Sequence, residues 1–120
     1  MKTIGIGNTF PPSLIRRRTT FTPIVLDDMH RIIQGKNLQS FWGHANTIAA
    51  ANAVLGFDVT PPTARRAVVL DNENYPMLDN VRLSAIIVCS PSYRPGYRPA
   101  EGEVSAETDI VGWQVLLVEF

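Results

Sequence analysis

A single α/β domain, bordering on α+β, is the fold class this sequence predicts. Strand-like apolar runs recur at residues 3–6, 19–26, 36–42, 67–70, 83–89 and 114–120. Helix-forming stretches interrupt them at residues 11–15, 29–33 and 48–55. With 120 residues the chain can bury one core, so residues 1–120 are read as one domain. The expected architecture is a mixed sheet of about five or six strands flanked by short helices.

In order, Thr3-Ile4-Gly5-Ile6 alternates as a first strand, with Gly5 and Gly7 allowing close backbone approach. Asn8 follows at its carboxyl end, and Pro11-Pro12-Ser13 opens a short helical turn. Asn8 and Ser13 thus lie where open sheets tend to bind ligands, although each also suits a local turn bond. Gly5-x-Gly7 has no third glycine and makes no dinucleotide fingerprint. Arg16-Arg17-Arg18 reads as a solvated basic face. Pro23 then puts the second strand at a sheet edge or a bulge. Asp27 or Asp28 caps a short helix ended by Gly35, and His30 reads as a surface residue without an obvious partner.

The centre of the chain is Ser40-Phe41-Trp42-Gly43-His44-Ala45-Asn46-Thr47. An apolar strand ends at Gly43, and an Ala-rich helix over 48–55, closed by Gly56, follows. His44 therefore lies on a strand-to-helix turn. Unpaired N–H groups and the macrodipole make such a turn a seat for an anion. A histidine there can move a proton near neutral pH, or simply fill the turn. Beyond it, the continuous apolar run 67–70 predicts a buried strand pairing antiparallel with 83–89 across the polar turn 71–76. Residues 90–102 read as a long irregular loop with Tyr93, Arg94, Tyr97, Arg98 and Glu101. Residues 105–109 can open a helical turn before the closing strand.

Composition sets limits on function. Eleven Lys and Arg balance eleven Asp and Glu, which argues against a broad basic face for duplex DNA. Cys89 is the single cysteine, so no internal disulfide or cysteine zinc site forms, and its apolar neighbours predict an inert buried thiol. No cluster has metal-ligand spacing. No apolar run approaches a membrane span, so a soluble cytoplasmic protein is expected.

Three segments in order carry a resemblance: Asn8-x-Phe10-x-x-Ser13, Gly43-His44-x-x-Thr47 and Arg98-x-x-Glu101-Gly102. Over nearly the whole chain this resembles the small viral ring nucleases, anti-CRISPR proteins that degrade cyclic tetra-adenylate and silence type III CRISPR signalling. The resemblance implies a homodimer in the host cytoplasm with a ligand pocket across its interface, and no cofactor or metal. It implies His44, Arg98 and Glu101 as catalytic residues. Asn8, Ser13, Gly43, Thr47 and Arg66 would then lie around the ligand. Pro11-Pro12 inside the first motif and the longer Tyr93–Tyr97 segment depart from the family pattern. The competing expectation is a sponge that holds a cyclic nucleotide without cutting it.

Overall fold

The computed structural model describes residues 2–43, 45–62, 67–98 and 109–120. Its strands are β1 (Thr3–Gly7), β2 (Thr20–Ile24), β3 (Asn37–Ser40), β4 (Val69–Leu70), β5 (Pro76–Leu78), β6 (Val81–Arg82), β7 (Ala85–Tyr93) and β8 (Ile110–Glu119). Two α-helices, α1 (Leu26–Ile33) and α2 (Ile48–Leu55), and two short 3-10 turns, Pro12–Leu14 and Ala45–Thr47, complete the described chain. Five strands form one mixed sheet in the order β2-β8-β7-β1-β3, and β4-β5-β6 form a second, antiparallel sheet. β1 runs parallel to β3 and to β7, while β8 is antiparallel to both β7 and β2. The domain expected as α/β bordering on α+β is α+β: the mixed five-stranded sheet is as expected, and the three-stranded sheet is an addition to it.

Strand alternation decides what covers each face of the sheet. Ile4 and Ile6 of β1, with Ile87 and Cys89 of β7, meet Met29 of α1 and Ala51 and Leu55 of α2. The intervening Ile86 and Val88 point the other way and meet Phe41, Leu78 and Leu83. The helices therefore cover one face and the second sheet covers the other. All five residues of β1 are buried, as a strand covered on both faces requires. Each large aliphatic so enclosed contributes about 1.5–3 kcal/mol. Burial also pushes the Cys89 thiol up to about 12, which leaves it an unreactive core group.

The glycines of β1 have a specific cause. A Cβ on Gly7 would fall 2.3 Å from the Phe41 ring, and one on Gly5 would fall 2.9 Å from Leu83. Phe41 rests directly on the β1 backbone. Gly56 ends α2 with φ +77°, the left-handed cap that its sequence position predicts.

Several local expectations need correction. Asp27 and Asp28 do not cap α1; they lie in its first turn, favourable to the helix dipole, and Asp28 pairs with Arg31. His30 has a partner: its Nε2 is 2.8 Å from the Leu55 carbonyl oxygen, and its ring stands edge-on to Phe57. The run 67–70 is no buried strand paired with β7. Only Val69 and Leu70 are extended, in the second sheet, and Val69 is half exposed. The strand of 83–89 runs on to Tyr93, past the start of the expected loop. Beyond Cys89 it pairs with β8 alone, and there Pro91 costs no ladder bond to β1.

Arg17 also departs from the solvated face expected of its run. It is half-buried, with its guanidinium carbon 3.5 Å from the Tyr75 ring centroid and Nη1 donating to the Glu73 carbonyl at 3.2 Å. Arg82 lies over the same ring at 4.1 Å. Burial acts to raise the pKa of Asp71. The N–H groups of Tyr75 and Glu73 and the Arg82 guanidinium outweigh it and hold this carboxyl below its usual range. No described helix is long and apolar enough to cross a membrane.

Candidate functional site

β1 and β3 are parallel and in register, Ile6 opposite Ser40, so both end at the same edge of the sheet. From that edge the chain leaves in two directions. After β1 it runs to Phe10, which packs on the second-sheet side; after β3 it enters α2 on the helical side. Adjacent parallel strands whose continuations go to opposite faces open a crevice at their carboxyl ends. Here that crevice is a cleft of about 440 Å³. Asn8, Thr9, Pro11 and Leu14 form one wall, Phe41 and Gly43 the floor, and Ala67 and Val68 the opposite wall. Arg17 ties the two walls together beyond the cleft, because it follows Leu14 in one wall and stacks on Tyr75 behind the other.

The turn after β3 is fixed from both sides. Phe41 and Trp42 are successive residues and enter the two opposite cores. The Trp42 indole donates to the Thr47 hydroxyl at 3.0 Å, which pins the 3-10 turn in front of α2. The Gly43 N–H donates to Asn8 Oδ1 at 3.0 Å and joins the ends of β1 and β3. Ser40 Oγ donates to the Val59 carbonyl oxygen and anchors the last residue of β3. Residue 44 is thus bracketed in sequence by two fixed segments.

The structure brings Asn8 and Gly43 together, as the sequence motifs imply. Thr47 is fully buried, and its hydroxyl receives the Trp42 indole, so it shapes the turn from behind. Ser13 is exposed on the Pro12–Leu14 turn beside the cleft wall. His44, Arg66 and Glu101 lie outside the described residues, as do residues 105–108 of the expected helical turn. Arg98 is exposed and follows a tight turn in which the Tyr97 N–H bonds the Arg94 carbonyl at 3.1 Å.

β7 carries that turn to the same edge of the sheet as the cleft. Gly7 pairs with Val88, so the five further residues to Tyr93 extend β7 roughly 16 Å past the end of β1. This extension with β8 is a two-stranded arm. Arg94 holds its tip to Asp109 at 2.8 Å, and Tyr93 and Tyr97 pack ring to ring at 5.4 Å. The two tyrosine rings are tilted at 50° to each other. Thr9, Leu14, Phe41 and Val68 are cleft residues that sequence reasoning did not single out. The signal for Thr9, Leu14 and Phe41 was sequence proximity to Asn8, Ser13 and Gly43, and for Val68 proximity to Arg66. Among the described residues no group of three His, Cys, Asp or Glu side chains is placed to hold a metal ion.

The fold is shared with a solved viral protein. B116 of Sulfolobus turreted icosahedral virus matches 98% of this chain and 99% of its own, with a TM-score of 0.58 at 16% identity. No family model and no curated protein matches the sequence.

Proposed function

We propose that this chain is a metal-independent ring nuclease, a homodimer that cuts cyclic tetra-adenylate and thereby counters type III CRISPR immunity. One observation carries most of the support. The Asn8–Gly43 bond fixes the strand-to-helix turn, immediately before His44, at the mouth of a switch-point crevice. A fold shared with a viral protein over nearly its whole length agrees with a viral role. So does the order of the three sequence motifs.

The chemistry follows from RNA itself. A ribose 2′-OH attacks its own phosphorus, the P–O5′ bond breaks, and a 2′,3′-cyclic phosphate and a 5′-OH result. The 2′ proton goes to a base, and the departing 5′ oxygen takes one from an acid. His44 supplies that acid, worth roughly 10²- to 10⁴-fold. Arg98, with its planar fork of donors, neutralises the charge growing on the phosphoryl oxygens. Glu101 orients Arg98 or takes the 2′ proton. Two such cuts turn the four-membered ring into two linear di-adenylates.

The test is purified protein incubated with radiolabelled cyclic tetra-adenylate in EDTA. The expected product is linear di-adenylate ending in a 2′,3′-cyclic phosphate. Tightly bound ligand recovered intact makes the protein a sponge. Neither binding nor cleavage removes the reading.

A further inference from the structure

The cleft is chemically lopsided. Among the described residues, Pro11, Leu14, Phe41 and Val68 line it with apolar surface, and Asn8 and Thr9 supply its polar side chains. Among the described residues no Lys or Arg lines it. The Gly43 N–H, the natural donor to an anion at this turn, is already given to Asn8 Oδ1. Against this described lining a phosphate would shed its hydration for little in return. A flat heteroaromatic base is the opposite case. Its faces are apolar, and its rim carries acceptors and donors.

We propose that this cleft is a base pocket: it takes one unpaired purine of a nucleotide ligand, while the phosphate stays at the rim beside Gly43. The ligand class rests on the ring-nuclease reading; which part of the ligand enters the cleft does not. Asn8 gives its oxygen to Gly43, so its Nδ2 remains to donate to a purine ring nitrogen. The Thr9 hydroxyl can give or accept. A space of about 440 Å³ lies within the range of small-molecule pockets and has room for the larger of the two base types. Phe41 supplies the floor, held against Gly7 from below, so the pocket is formed before ligand arrives.

The experiment uses the full chain and small probes without a phosphodiester bond, so that binding is read without cleavage. Amide resonances are followed by NMR on addition of adenosine, uridine or inorganic phosphate. Adenosine is expected to shift the amides of Asn8, Thr9, Gly43 and Val68, with uridine weaker by roughly tenfold. Inorganic phosphate is expected not to displace it. Leu14→Trp places a ring into the cleft from a half-buried wall position and is expected to weaken adenosine roughly tenfold or more. Val68→Trp does the same from the opposite wall, should the first variant fold poorly.

Displacement of adenosine by phosphate, shifts that map elsewhere, or unchanged binding in both tryptophan variants would overturn the base pocket. Cleavage of cyclic tetra-adenylate by a protein that fails these tests leaves the ring-nuclease reading intact without the pocket. Adenosine binding in the cleft of a protein that neither binds nor cuts the ring keeps the pocket and removes that reading.

Discussion

The carboxyl edge of β1 and β3 and the β7–β8 arm lie on the same side of the sheet, yet they are held in different ways. At the edge four described residues each reach a second segment. Phe41 lies on Gly7, Asn8 reaches Gly43, Trp42 reaches Thr47, and Ser40 reaches Val59. The arm has one ladder and one bulge after Ser92; its base is packed where Trp113 meets Trp42, and its tip is held by the Arg94–Asp109 ion pair. Few buried contacts mean that an element opens at low cost. The edge thus holds a fixed shape, whereas the tip of the arm, which leads into the exposed Arg98, is held by fewer contacts. A proton donor needs the first kind of support; a charge-neutralising arginine tolerates the second.

Substitutions can break this contrast, beginning with the floor. Phe41→Ala removes a buried ring from between Gly7 and the second core, and a loss of about 3–5 kcal/mol is expected in chemical denaturation. Gly7→Ala attacks the same contact from the other side. Its new methyl group meets the ring at a distance no real contact shows, and about 1–3 kcal/mol of destabilisation is expected. If Gly7→Ala were as stable as wild type, Phe41 would not rest on β1 as described.

Arg98→Ala tests the arm. It is expected to weaken ligand binding and turnover together by roughly 10- to 100-fold, the range of a charge-assisted bond, without lowering the denaturation midpoint. Loss of turnover with binding intact would reverse the role assigned to it. Arg94→Ala is expected to change global stability least, by about 1 kcal/mol or less, because the Arg94 guanidinium in the pair it loses is half exposed.

Acid tests the far wall of the cleft. Asp71 has its pKa depressed in the folded state, so its contribution is complete above the ordinary carboxylate value near 3.8. That contribution fades as pH falls through the lower, folded value. Asp71→Asn is expected to lower stability at neutral pH and to flatten this acid limb in a pH series of denaturation curves. An acid limb identical to wild type would mean that the carboxylate is not held by the turn.

The two regions also differ in how far the sequence reveals them. α2 announces itself through its alanines and Gly56, and β1 through alternation, because their signals are local. The crevice follows from β1 and β3 being parallel neighbours, which no single stretch encodes. The run 67–70 misleads because apolar residues that line a cleft look like residues that line a core. β7 outruns its expected end at Cys89 because Pro91 reads as a breaker, whereas a strand paired on one side accepts it. Arg17 looks like solvent-facing charge until Tyr75, far along the chain, comes beneath it. His44 is legible only as a position on a turn. Its flanking bonds from Asn8 and Trp42 link residues that pattern alone does not connect.

The central claim is that this fixed turn carries the proton-transfer chemistry. The most direct measurement is single-turnover cleavage of cyclic tetra-adenylate by wild type and His44→Ala, with binding measured on the same samples. A loss in rate of roughly 10²- to 10⁴-fold with affinity little changed is the predicted result. Cleavage by His44→Ala at the wild-type rate would contradict it and move the chemistry away from the β1–β3 edge.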